Sequence, residues 1–134
     1  MTIETELYTR LTTHAGLSAL IGTRAYPLHL PQKPTLPAVT YHRVSATRVS
    51  AMGTDTGLVR ARFQIDVWAE KYITQGAKTG AREVASQVRA ALQRWSTSSG
   101  TIVQDTYFLN EVELFEPDTK LVHIALDFEI NYEE

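Results

Sequence analysis

Cysteine is absent from the 134 residues, so the chain holds no disulfide, no thiolate ligand and no cysteine nucleophile. That usage fits a reducing compartment. No apolar run approaches the roughly 20 residues of a membrane-spanning helix, and the start lacks the basic, apolar and small-residue regions of a signal peptide. No membrane partner is expected, and the chain is expected to stay in the cytoplasm where it is made. The four histidines are scattered. His123 and Asp127 lie four apart on a strand pattern, about 13 Å at the usual rise, which is too far to share a metal ion. No phosphate-binding loop is present either, since Gly53 and Gly57 lack the lysine and the strand-to-helix setting that such a loop needs. No cofactor is expected. Glu111 and Glu113 share one strand face about 7 Å apart, as a paired acid and base would. Nothing near them in sequence supplies the apolar surroundings that raise a carboxyl pKa, so they are expected to be solvated charges, and no enzyme activity is expected.

Charge of one sign is also missing where nucleic-acid binding would need it. The net charge is −2, and the seven basic residues between Arg60 and Arg94 are not interleaved with aromatics, so no specific nucleic-acid partner is expected. The distribution is nevertheless uneven. Residues 1–57 hold five basic and three acidic groups, residues 58–99 seven and three, and residues 100–134 one and nine. A basic middle and an acidic C-terminal quarter suit head-to-tail assembly, although solvated charge alone would give the same count.

What is present is organised around Leu58 to Trp95. Val59, Ala61, Phe63, Ile65, Val67 and Ala69 alternate with Arg60, Arg62, Gln64, Asp66 and Trp68, which predicts a half-buried strand. From Ile73 the period changes. Ala77, Ala81, Val84, Ala85, Val88, Ala91, Leu92 and Trp95 form the stripe of an amphipathic helix, with Thr74 as its expected N-cap and the 96–100 segment ending it. That helix is predicted to cover the strand face bearing Phe63, Ile65 and Val67.

Ile3, Leu7, Tyr8 and Leu11 predict a short N-terminal helix capped by Thr2, and Leu17 to Ile21 one or two further turns. Arg24 to Pro37 contains four of the five prolines and reads as extended loop. Ala38 to Val49 resumes as a strand whose alternation slips between Tyr41 and Val44, as at a bulge. The polar 50–57 segment reads as a long hairpin loop. Segments 24–37 and 47–57 are expected to be mobile in a free subunit and ordered between neighbours. Thr101 to Phe115 and Leu121 to Tyr132 predict a second hairpin around Pro117 and Asp118. Trp68, with the polar parity of its strand, is expected to pack beneath the N-terminal helix, the alternative being an interface. The whole, residues 1–134, is expected to be one α+β domain. Its mostly antiparallel sheet of about four strands would carry a long helix and a short N-terminal helix on one face, and leave a wet face of Arg60, Arg62, Gln64, Asp66, His123, Asp127 and Glu129.

Five blocks in order carry a resemblance. They are Gly22-Thr-Arg-Ala-Tyr-Pro27, Leu36-Pro-Ala-Val-Thr-Tyr-His-Arg-Val-Ser45, Val59-Arg-Ala-Arg-Phe-Gln-Ile-Asp-Val-Trp68, Val88-Arg-Ala-Ala-Leu92 and the close from Phe115 to Phe128. Together they resemble the tail completion proteins of long-tailed phages, also called tail terminators or tail-to-head joining proteins. The resemblance implies a non-enzymatic structural protein of the virion, assembled in the host cytoplasm. It implies a homo-oligomer, a hexameric ring that caps the tail tube, ends its assembly and joins the tail to the head connector. The implied partners are the major tail tube protein and the connector or stopper protein, and DNA would pass through the ring. Phages, prophages and gene transfer agents all use such proteins. The family has no catalytic motif to carry over.

Interface residues are chosen by charge and parity. They are Arg48, Arg60 and Arg62 on the basic side, Glu111, Glu113, Asp127 and Glu129 on the acidic side, and Trp68. Two alternatives stay open: another head–tail connector protein such as a stopper or adaptor, and a small α+β enzyme or ligand-binding domain marked by a convergent polar pocket.

Overall fold

The computed structural model describes residues 2–134. Helix α1 spans Ile3–Thr13 and helix α2 Ala15–Ile21. Thr2 caps α1 by accepting from the Thr5 amide, as its position before the apolar stripe predicts. Strand β1, Ala25–Pro27, follows, then β2, Ala38–Ala51, and β3, Thr54–Ala69. Helix α3, Ala81–Leu92, leads to β4, Val103–Glu116, and β5, Leu121–Glu133. The five strands form one sheet in the order β1-β2-β3-β5-β4, antiparallel except for β1 against β2.

The sheet has five strands where about four were expected, because β1 lies inside the proline-rich segment. It is only three residues long and depends on tertiary support. Arg24 donates through Nε to the Pro37 carbonyl and through its terminal nitrogen to the Leu20 carbonyl, while the Val39 amide donates to the Arg24 carbonyl. Pro27 ends an edge strand, where a missing amide leaves no ladder bond unmade.

The alternation of β3 is realised in full, with Val59, Ala61, Phe63, Ile65, Val67 and Ala69 all buried. On β5 the same face carries Val122, Ile124, Leu126, Phe128, Ile130 and Tyr132, also buried. All three helices contribute to the one core cluster formed on this side. The slip expected in β2 is a register shift between Arg43 and Ser45.

The long helix is shorter than its stripe suggests. It begins at Ala81 with Gly80 as N-cap, which makes no side-chain cap, and Thr74 is not its N-cap. Residues 73–80 instead fold back, so that the Lys71 and Tyr72 carbonyls accept the Ala81 and Arg82 amides, and Thr74 accepts from the Gly80 amide and donates to Glu83. A Cβ at Gly80 would lie 2.2 Å from the Ile73 carbonyl carbon. The close approach explains both the glycine and the late start. At the other end Arg94 turns left-handed (φ 63°) and donates its amide to Thr106, so Trp95 is buried beyond the helix rather than within it. The 50–57 segment is not a long loop either. Ala51 pairs with Thr54 across a two-residue turn, Met52-Gly53, with Gly53 at φ 80°, and the strands continue to its tip as a projecting arm.

Candidate assembly surfaces

The sheet face away from the helices is the expected wet face, and strand register arranges it into two groups. Toward the β2–β3 arm, Arg62 donates to Asp127 at 2.9 Å. Arg60 stands opposite Asn131, and Arg62 opposite Glu129. The Arg60 side chain makes no hydrogen bond or ion pair among the described residues.

Toward the other end, Asp66 is 5% exposed and accepts from Gln64 Nε2 and His123 Nε2, each at 2.8 Å. His123 stacks on Trp68 with ring centroids 4.0 Å apart and planes 12° apart, and Trp68 donates Nε1–H to Thr40 at 3.1 Å. A carboxylate this buried is stabilised by the two donors it accepts from. The expectation that Trp68 packs beneath the N-terminal helix is therefore wrong. Its parity, shared with Asp66 and opposite His123, holds it on the open face, away from the helices. Sequence alternation puts Asp66, Trp68 and His123 on matching parities. The register of β3 against β5, which joins them, is not visible in either strand alone.

Glu111 and Glu113 are on one face of β4, as their spacing predicts, and that face is the helix side, opposite Leu126 and Ile124. Glu111 pairs with Arg89 at 2.8 Å, and Glu113 with Arg82 at 3.8 Å and with the Tyr72 hydroxyl at 2.9 Å. They are thus separated from Arg60 and Arg62 by the thickness of the sheet. Accepting that phenolic proton raises the Tyr72 pKa, with some help from desolvation. Arg48 pairs with Glu134 near the base of the arm.

The outer half of β4 departs from the core pattern. Leu109, Val112, Leu114 and Phe115 are exposed at an edge of the sheet, with Tyr72 and Ile73 exposed as well. Among the described residues no group of three or more histidines and carboxylates could hold a metal ion, and no helix is long and apolar enough to cross a membrane. Glu70 is held below the ordinary carboxyl range by its hydrogen bond to Lys78, which marks a surface ion pair rather than a raised-pKa acid.

No curated protein matches the chain. Among solved structures, a chain from "Virion of native gene transfer agent (GTA) particle" superposes with a TM-score of 0.74 at 23% identity, covering 98% of this chain and 95% of that one. At that identity the likeness establishes a shared fold. Residues 5–133 match the family Tail completion protein gp17, from the first turn of the first helix to the end of the last strand, and the chain belongs to that family.

Proposed function

We propose that this protein closes into a hexameric ring that caps the end of a phage-type tail tube, stops its growth and presents the surface to which the head connector joins. Membership of the tail completion family gives the coarser role, a structural component of a phage tail, and is consistent with a protein that has no catalysis to perform. The observation that carries the finer reading is the extent of the match, residues 5–133, together with a charge split that provides two unlike surfaces on one subunit. A ring requires just such a heterologous joint, repeated at every subunit. The virion is the location this role requires, with the tube protein and the connector as partners.

Within this proposal the open face works at the tube or the joint through Arg60, Arg62, Trp68, Asp127 and Glu129, and Arg48, Glu111 and Glu113 act at the flanks. Arg60 is the most available of these, since its side chain is unpaired within the subunit. Substituting Arg60→Glu and Arg62→Glu together should leave a folded subunit, because exposed ion pairs contribute about 0–1 kcal/mol. The same double variant is expected to yield tails of uncontrolled length or tails without heads. Tails of normal length joined to heads would remove the open face from the working surface.

A further inference from the structure

The sheet has two unpaired stretches of edge, on opposite sides and of opposite charge. On one side β1 covers β2 only from Val39 to Tyr41, so among the described residues the backbone of 43–51 faces no neighbouring strand beyond β3. On the other side the first part of β4 is closed by the segment preceding it. The Thr97 and Arg94 amides donate to the Val103 and Thr106 carbonyls, and the Phe108 amide donates to Gln93. Among the described residues, 109–116 have no such cover. A bare edge with exposed apolar side chains is a template for pairing with another strand, and a protein that persists as a monomer normally blunts it. Here it is instead lined by Leu109, Val112, Leu114 and Phe115.

The two stretches complement each other. Residues 43–51 carry Arg43 and Arg48 and no acid, while residues 109–116 carry Glu111, Glu113 and Glu116 and no base. Arg43, Arg48, Glu111 and Glu113 also lie on the same side of the sheet, Glu116 being on the other. Arg43 pairs with Phe63 and Arg48 with Val59, and Glu111 with Leu126 and Glu113 with Ile124, which are all core-facing partners. β2 and β4 run in opposite directions within one subunit. A neighbour with its strands pointing the same way would therefore meet β4 with its own β2 in antiparallel fashion.

Resting on the ring reading above, we infer that the occupant of the bare β4 edge is the free half of β2 from a second copy of this chain, so that the sheet runs on from subunit to subunit around the ring. Backbone pairing supplies the joint, the apolar row of β4 is covered, and the arginine and glutamate rows set the register.

The absence of cysteine makes the test clean. Six double variants combine Ser45→Cys or Thr47→Cys in β2 with Asn110→Cys, Val112→Cys or Leu114→Cys in β4, all on the open face. Within one subunit β2 and β4 are separated by β3 and β5, three strand spacings or about 14 Å. That exceeds the roughly 4.4–6.8 Å between disulfide-linked Cα atoms, so any bond formed joins two copies. Oxidised assemblies should run as a ladder up to the full ring on a non-reducing gel. The reactive pairs should follow antiparallel register, a step forward on β2 matching a step back on β4. In the unsubstituted protein, amide exchange in 43–51 and 109–116 should slow at least tenfold on assembly. Rings seen by native mass, with no ladder or with crosslinks lacking any register, and with exchange unchanged in both segments, would overturn the edge pairing and leave the ring standing. Absence of any ring, alone or on tail tubes, would instead remove the ring and the pairing with it.

Discussion

Phe128 offers the sharpest test of how this core is held. Strand register sets it directly opposite Phe63 of β3 on one side and Phe108 of β4 on the other, a row of three rings across three neighbouring strands. Phe63 and Phe128 are fully buried, and the Phe108 ring meets that of Phe128 at 5.5 Å and 56°. Phe108 itself is only partly buried, with the Arg89 guanidinium 5.9 Å above its ring. Replacing Phe128 by Ala removes a large buried side chain from a sheet whose backbone cannot collapse into the space, which costs about 3–5 kcal/mol. Against a typical total of about 5–15 kcal/mol that is a large share. For a chain of this size each kcal/mol moves Tm by roughly 3–5 °C, so Phe128→Ala should lower Tm by roughly 10–20 °C. Phe63→Ala should cost about as much. Phe108→Ala, with solvent on one side, should cost about half, and the Phe108 and Phe128 changes should couple by about 0.5–1.5 kcal/mol in a double-mutant cycle, the value of a tilted aromatic pair. Urea and thermal melts of the four variants measure all of this. A Phe128→Ala loss below about 1 kcal/mol, or a Phe108→Ala loss equal to it, would refute the packing argument.

Gly80→Ala should destabilise the fold by about 1–3 kcal/mol, because the added Cβ meets the Ile73 backbone at 2.2 Å and neither segment can yield cheaply. Gly53→Ala, open around its Cβ but left-handed, should lose only about 1 kcal/mol, and reversal of that order in urea melts would contradict the account of the α3 start. His14 accepts the Leu17 amide at the start of α2, and its pKa is lowered from 6.5 by burial and by Arg10. The unfolded chain thus takes up the proton first as pH falls, so the contribution of His14 is full above about pH 6.5 and is lost as pH drops through the lower folded value. His14→Asn keeps a cap without the titration and should flatten the fall in stability below about pH 6.5, read from urea midpoints.

How much of this was legible before the structure depends on whether a signal is local. The period-two run from Val59 to Ala69 and the clean alternation of β5 rest on burial of a single face, and every residue of the helix-facing row in each is buried. β1 left no such trace. Three residues ending on the first proline of the chain become a strand only because Arg24 ties them to Leu20 and Pro37 and because β2 lies alongside. The start of α3 is hidden in the sequence for a related reason. The apolar step from Ala77 to Ala81 matches a helix, while the event that decides it, Gly80 pressed against the Ile73 backbone, is a contact across a loop. Trp68 departs from expectation because lone aromatics are usually core residues, while its partner on the open face, His123, comes from a strand far along the chain. The family resemblance rested on the order of the blocks, and the match over residues 5–133 agrees with it.

The ion pairs within the subunit bear on how a ring would use its charges. Arg48 with Glu134, Arg82 with Glu113 and Arg89 with Glu111 are all at least about a third exposed on both partners, so each contributes about 0–1 kcal/mol and can be exchanged for a partner on a neighbour at little net cost. Exchange of equals gives almost no affinity. It does penalise a slipped register, since a strand moved by one residue turns its arginines to the other face, away from the glutamates. Affinity must then come from groups that gain on assembly. In the free subunit these are the uncovered Leu109, Val112, Leu114 and Phe115, each exposing at least 45% of its surface, and the backbone beside them. Charge reversal at Glu111 and Glu113 should therefore slow and misregister ring formation more than it weakens the finished ring, whereas polar substitution at Leu114 and Phe115 should weaken the ring itself. Assembly kinetics and ring dissociation, measured separately for the two kinds of variant, distinguish these roles, and equal effects on both would show that the division between charge and apolar edge is mistaken.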